Sequence, residues 1–244
     1  MATLYDDVLA DLGPRIVEGE LPEDSTITLE RICDEYGVSR TVARDVIQVL
    51  ASMGLVESRR RTGIRVRACR EWDAYAPAVI RWRLAGADRA GHLGQLSQLR
   101  AAVEPMSAAL AAVNATDAQR REVVRLAEEL EETGAAGDLR TFLEHDVAFH
   151  KLLLEASGNV MFAGLTEVVE EVLRGRTDHH LMPLEPKPEA RRLHQMVARA
   201  VASGEAEVAR AAMTTICLEV VTGIAEVAAG ESRLATGETP AASR

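Results

Sequence analysis

Apolar side chains return at intervals of three and four along most of this chain, and only one short stretch breaks into alternation. Val8, Leu12, Ile16 and Val17 share one face of a first helix, which Gly19 and Pro22 bring to an end. Thr28 is placed to cap a short helix over 29–36 that Gly37 closes. Ser39 is placed to cap a longer one reaching about residue 53, with Val42, Val46, Val49 and Leu50 turned inward. After Gly54 the period shortens to two: 55–58 and 64–68 read as strands joined by Arg59, Arg60, Arg61, Thr62 and Gly63. From Pro77 onward the pattern is helical, with helices expected near 77–86, 91–114, 117–133, 138–157, 159–175, 187–203 and 205–230. The expected fold is mainly α: an N-terminal winged helix-turn-helix (1–70), a linker with a first linking helix (71–90), an all-helical bundle (91–230) and a polar, mobile tail (231–244).

Composition agrees with two packed cores, since 244 residues with 47% apolar side chains exclude a disordered tail or a disulfide-stapled miniprotein. Cys33, Cys69 and Cys217 are widely separated and lack C-x-x-C spacing, which argues against a disulfide framework or a zinc–thiolate site and fits a reducing cytoplasm. The first residues carry Asp6, Asp7 and Asp11 where a secretory signal needs a basic start, and no apolar run is long enough to span a membrane. A cytoplasmic protein with no membrane partner is therefore expected.

The net charge of -10 at first argues against a polyanionic partner. Its distribution reverses that reading. Residues 36–70 hold Arg40, Arg44, Arg59, Arg60, Arg61, Arg65, Arg67 and Arg70 against only Asp45 and Glu57, a local net of +6, whereas the chain from residue 71 carries -8. All but two of the 28 basic residues, Lys151 and Lys187, are arginine, whose planar fork suits phosphates, carboxylates and guanine edges. In the run 37–44 a glycine permits a tight turn, Val38 packs the two helices, and Ser39, Arg40 and Thr41 open the second helix, where free N–H groups and side chains can meet DNA. Arg40 and Arg44 are one turn apart and project together. Arg59, Arg60, Arg61, Thr62 and Gly63 form the wing, suited to the DNA backbone or minor groove. The alternative is a solvated basic surface on an ordinary helix pair.

In the bundle, Asp146 and His150 interrupt the apolar stripe Leu139, Phe142, Leu143, Phe149, Leu153, Leu154. An ionised carboxylate there needs a cation, a metal or donors. The two are four residues apart, as two metal ligands on one helix must be, and His194 flanks the stripe Leu193, Met196, Val197, Ala200, Val201 of a later helix. A structural Asp–His hydrogen bond is the plainer reading. Arg100 and Glu104 are also four apart and form either a structural salt bridge or a carboxylate-binding pair.

These residues resemble the GntR-type transcription regulators of the FadR-type subgroup, whose effector domain is called FCD. The resemblance rests on Gly37-Val38-Ser39-Arg40-Thr41-Val42-Ala43-Arg44, Gly54-Leu55-Val56, Gly63-Ile64-Arg65-Val66, Leu99 to Pro105, Asp146-Val147-Ala148-Phe149-His150 and Ala156-Ser157-Gly158-Asn159. Ile80-Arg81-Trp82-Arg83-Leu84 resembles a linker segment of regulators of sugar-acid metabolism. The resemblance implies a cytoplasmic homodimer, a repressor that binds operator DNA through 1–70 and is released by a small organic acid, a sugar acid or hydroxy acid. That acid would be held among Arg100, Asp146, His150 and His194 in 91–230, the effector-binding and dimerisation part. It also implies one divalent ion, Zn2+ or similar, on Asp146, His150 and His194. The family's further histidine, about 22 residues after His194, is Ile216 here; His179 or His180 would be substitutes. Two departures lie in the DNA-binding part: Val42 replaces a usual proline, and Glu30 stands where the family often has arginine. The competing readings are a metal-dependent enzyme built on the Asp/His/His set, and a DNA-binding protein that needs no effector.

Overall fold

The computed structural model describes residues 3–59, 63–178 and 187–218. It divides into two compact units, Met1–Arg89 and Ala90–Arg244.

In the first unit, helix α1 (Leu4–Val17) begins at a reciprocal cap in which Thr3 and Asp6 satisfy each other's backbone N–H. Strand β1 (Thr26–Ile27) precedes α2 (Leu29–Tyr36) and α3 (Arg40–Ser52), and β2 (Val56–Arg59) and β3 (Gly63–Val66) follow. A single 3-10 turn at Cys69–Glu71 leads to α4 (Pro77–Ala85). The sheet is antiparallel in the order β1-β3-β2, with Val56 opposite Val66 and Arg59 opposite Gly63 across the hairpin. Sequence pattern gave the wing two strands, and β1 is the third. With two residues it has no readable period, and it exists because its backbone pairs with β3, Ile27 opposite Ile64. Val8, Leu12, Ile16, Ala43, Val46, Leu50, Leu55, Val66, Val79 and Trp82 fill one core, so α4 packs as part of this unit.

The second unit is helical: α5 (Arg89–Asn114), α6 (Asp117–Ala136), α7 (Leu139–Ala156), α8 (Val160–Ala163), α9 (Thr166–Asp178), α10 (Pro188–Ser203) and α11 (206–218). Thr116 and Gln119 make a reciprocal cap for α6, Asp138 caps α7, and Gly137 and Gly204 end α6 and α10 in the left-handed region. The single helix expected over 159–175 is two. Asn159 caps the short α8, its carbonyl and that of Val160 are taken by Ala163 and Gly164, and Leu165 turns back onto Phe162 before α9 starts. The expected helix over 205–230 is helical to 218. Its remainder and the tail at 231–244 lie outside the described residues.

Helix α7 lies between α6 and α9, and α10 packs along α6. Leu126, Leu130, Phe149, Leu153, Val197, Val201 and Met213 are buried at their centre. Phe149, fully buried, sets its ring edge-on to both His150 and His194, with centroids at 5.7 and 5.1 Å. Its packing therefore fixes two polar side chains as well as the core, and truncation to alanine should cost about 3–5 kcal/mol.

Candidate nucleic-acid interface and candidate buried ligand site

The turn between α2 and α3 is built by local chemistry. Thr28 accepts from the N–H of Arg31 at 3.2 Å, and Gly37 takes φ 65°, a conformation glycine adopts without the penalty other residues bear. Val38 is buried beneath the turn, and Ser39 accepts from the N–H of Val42 at 3.3 Å. Ala43, Val46, Ile47 and Leu50 bury the inner side of α3; Val42 and Val49, expected inward, are half-buried. The opposite side presents Ser39, Arg40, Thr41 and Arg44 to solvent. No acidic residue occupies the first turn of α3, so its positive end is uncompensated from within the helix.

The positive charge of this unit is more contained than the sequence count suggests. Arg65 is held by Asp24 at 2.5 Å and Glu57 at 2.9 Å, Arg67 by Glu71 at 2.9 Å, and Arg59 by Glu57 at 2.5 Å. Arg40 reaches Glu30 at 2.5 Å, so the acidic residue at the family's arginine position touches the first residue of the candidate recognition helix. Among the described residues, Arg44 has no such partner. Gly63 has φ 99°, and a Cβ there would lie 2.8 Å from the Ile27 carbonyl. Close approach of β1 thus accounts for this glycine without any contact to DNA. Arg60, Arg61 and Thr62 lie outside the described residues.

In the second unit, five helices carry ionisable side chains to one buried place. Arg100 and Glu104 come from α5, Asp146 and His150 from α7, Arg176 from α9, His194 from α10 and Cys217 from α11. Glu104 is fully paired: Arg100 Nε donates to its Oε1, Arg100 Nη2 to its Oε2 at 3.1 Å, and His150 Nδ1 lies 2.5 Å from the same Oε2. Arg100 keeps one group, Nη1, that is buried without a hydrogen bond among the described residues. Asp146 receives Arg176 Nη2 on Oδ2 at 2.7 Å, while its Oδ1 has no donor. His194 Nδ1 is 2.7 Å from the Ala190 carbonyl and must donate to it, which turns Nε2 inward. His150 is oriented in the same way, its Nδ1 on Glu104.

His194 Nε2 and His150 Nε2 stand 3.2 and 3.5 Å from Asp146 Oδ1. The arrangement brings one carboxylate oxygen and the Nε2 atoms of two imidazoles together, with Nδ1 of each ring anchored by an acceptor. These groups can converge in two ways, around a shared proton or around a cation: burial lowers the His150 pKa but Glu104 and Asp146 more than offset it and raise it, while anchoring of the far ring nitrogen is how metal-binding histidines are oriented. One ligand atom from each of the three residues lies within 4.8 Å of the others, so the donor set fits a divalent ion. Burial would raise the Asp146 pKa, yet His150, His194 and Arg176 outweigh it and hold the carboxyl well below the ordinary range. Burial likewise opposes ionisation of Glu104, and Arg100 and His150 reverse it.

Ile216 is buried at the position of the absent histidine. Its neighbour Cys217, which spacing argued out of a zinc–thiolate site, is buried as well, with Sγ 4.0 Å from Glu104 Oε2. Burial, then Glu104, push this thiol up to about 12, so without a cation beside it the thiol stays protonated. Arg176 was also missed. Arg100 and Glu104 form a salt bridge, and one guanidinium N–H group of Arg100 remains without a partner among the described residues. His179 and His180 lie outside the described residues.

Known proteins match both units. The family model "Bacterial regulatory proteins, gntR family" matches residues 4–66, and the FCD domain model matches residues 95–218. The galactonate operon transcriptional repressor of Escherichia coli is 26% identical over 170 residues, 69% of this chain and 73% of that protein. The HTH-type transcriptional regulator LutR of Bacillus subtilis is 28% identical over 221 residues, 88% of this chain and 96% of its own. Among solved structures, that of Lar, which controls the expression of the Listeria monocytogenes agr system, aligns with a TM-score of 0.63 at 18% identity, over 93% of this chain and 98% of that one.

Proposed function

Since the chain belongs to the GntR family of bacterial regulatory proteins, with an FCD domain over its second part, we propose that it is a repressor released from its operator by a small organic acid bound in the second unit. It is a DNA-binding transcription regulator and not an enzyme, which removes the metalloenzyme alternative. The observation that carries the proposal is the buried cluster, whose unspent groups, Arg100 Nη1, Asp146 Oδ1 and His194 Nε2, are of the kinds that bind a carboxylate and a cation. The relatives' names point to the same chemistry, a galactonate operon repressor among them.

In this reading Ser39, Arg40, Thr41 and Arg44 enter a major groove, with Arg40 and Arg44 offering their forks to base edges. The wing residues Arg59, Arg60, Arg61, Thr62 and Gly63 follow the backbone. Two copies of the chain read a pseudo-palindromic operator. Asp146, His150 and His194 would hold a divalent ion, Zn2+ or similar, and Arg100 would orient the acid's carboxylate. The ion, when bound, supplies a Lewis-acidic point for the acid's oxygen atoms. Glu104 and the Ala190 carbonyl keep the two imidazoles turned the right way. No described helix is long and apolar enough to cross a membrane.

The test begins with selection of bound duplexes from a random pool. Release of the selected operator is then measured against a panel of sugar acids and hydroxy acids, with and without zinc. Release by one acid class that disappears in Arg100→Ala, at unchanged operator affinity, is the expected result. Release by no member of the panel would instead favour a regulator that needs no effector, and a normal response in Arg100→Ala would remove that residue from the site.

A further inference from the structure

Arg176 belongs to none of the motifs that marked the buried site. It lies near the end of α9 with its side chain 14% exposed, and its guanidinium is the one permanently charged cation among the described residues that contacts Asp146. The two arginines and two carboxylates of the cluster balance: Arg100 answers Glu104, and Arg176 answers Asp146. That balance holds only without a divalent ion. A cation held through Asp146 Oδ1 would share one carboxylate with the guanidinium on Oδ2, and a single negative charge cannot neutralise both. In a buried setting the repulsion between them is weakly screened. An anion placed between them relieves it, and Arg100 Nη1, also buried and unpaired, is a further donor for that anion. Arg100 and Arg176 are close enough that each charge bears on the other.

We propose that Arg176 is an anion-binding residue kept occupied by Asp146: it competes with a divalent cation for that carboxylate, and once the cation takes Asp146 the guanidinium binds the carboxylate of the incoming organic acid. The inference rests on the buried site proposed above and adds a residue and an order to it. Cation and acid bind with positive coupling, and by linkage each raises the affinity of the other by the same factor. It also gives this chain a counterpart to the histidine replaced by Ile216, since a resident guanidinium keeps Asp146 satisfied when no ion is present.

The signature is a pair of opposite changes in one variant, which misfolding cannot produce. Zinc affinity of the full chain is measured by competition with a chromophoric chelator, and binding of acetate, L-lactate and D-gluconate to the zinc-loaded chain by calorimetry. Arg176→Met should bind zinc at least tenfold more tightly and bind the best of the three acids at least tenfold more weakly. Arg176→Gln keeps a donor for Asp146 and serves should the Met variant fail to fold; it should shift both affinities in the same directions. Zinc affinity unchanged or weakened in a folded variant overturns the inference while leaving the site intact. So does a set of acids none of which prefers the wild type. Zinc uptake by neither wild type nor variants overturns the inference together with the site it rests on. Uptake by the variants alone supports it in its strongest form, the guanidinium then outcompeting the ion.

Discussion

Replacing Glu104 by glutamine keeps its shape and removes the charge that answers Arg100. Both side chains are 2% exposed, and the carboxylate accepts from two nitrogens of Arg100 while lying 2.5 Å from His150 Nδ1. A buried guanidinium left without its anion typically costs about 3–5 kcal/mol. For a unit of this size that lowers the unfolding midpoint by roughly 6–20 °C. Arg100→Met should cost less, because Glu104 then keeps His150 as a partner. The double variant Arg100→Met with Glu104→Gln removes both charges, keeps a carbonyl for the His150 N–H and leaves chiefly the glutamine amide unsatisfied, about 1–3 kcal/mol. The double variant should therefore be more stable than Glu104→Gln, with a coupling of roughly 2 kcal/mol in a cycle read by calorimetry on the second unit. The sign of the pH dependence follows from the same contacts. Glu104 is held below its ordinary pKa, so the unfolded chain binds more protons than the folded one as pH falls. Its contribution is full above the usual carboxylate value of about 4.3 and is lost progressively below it. Glu104→Gln should flatten that acid limb. A single-variant cost under about 1 kcal/mol, or costs that simply add, would refute the view that the pair is a coupled buried unit.

Arg44→Ala and Arg40→Ala should each lose sequence-specific binding by ~1–3 kcal/mol in gel shifts against the selected operator, and unchanged preference would reject the groove assignment. Glu30→Gln releases Arg40 and removes a negative charge beside the recognition helix; affinity for random duplex should rise several-fold while preference for the operator falls, as competition with nonspecific DNA would show. Gly13→Ala tests packing in the first unit: alanine is about 1 kcal/mol better in a helix, but its Cβ would lie 2.3–2.6 Å from the Trp82 ring, and overpacking at about 1–3 kcal/mol should win. A higher midpoint for that variant would mean the ring moves freely. Elemental analysis of protein purified without chelator should find zinc or a similar ion that His194→Ala loses.

What the sequence revealed was local. Thr28, Gly37 and Ser39 were readable because caps and turns act within three or four residues, and the inward stripes of α7 and α10 because burial follows the helical period. The strand β1 was not, since two residues carry no period and their reason for being extended is the partner strand 37 or more positions away. The break between α8 and α9 was hidden by Val168, Val169, Val172 and Leu173, which continue a helical stripe on the far side of a turn that Asn159 and Leu165 make. Asp146 and His150 could be found because two polar groups one turn apart inside an apolar stripe need a reason. Arg176 had no such mark: Arg174, two residues earlier, pairs at the surface with Glu144, and nothing in the spacing separates one from the other. Only the packing of α9 against α7 turns Arg176 toward Asp146.

The same limit applies to charge, and it changes what the basic half of the first unit can do. Counted along the sequence, residues 36–70 carry +6, but the acids that answer them come from outside that window as well as within it: Asp24 for Arg65, Glu71 for Arg67, Glu30 for Arg40. Arginines already paired release fewer counterions from DNA than a bare count implies, because each must exchange a carboxylate for a phosphate. The strength of such a surface then comes less from bulk attraction than from the few groups held in place, the open end of α3 with its Ser39 cap and the unpaired Arg44. Carboxylates beside the reading side chains penalise binding to DNA at large and leave correct base contacts to make up the difference. On the proposed reading of α3, a partly neutralised head would favour discrimination over affinity, and Glu30, which reaches Arg40, is the residue whose replacement tests that balance.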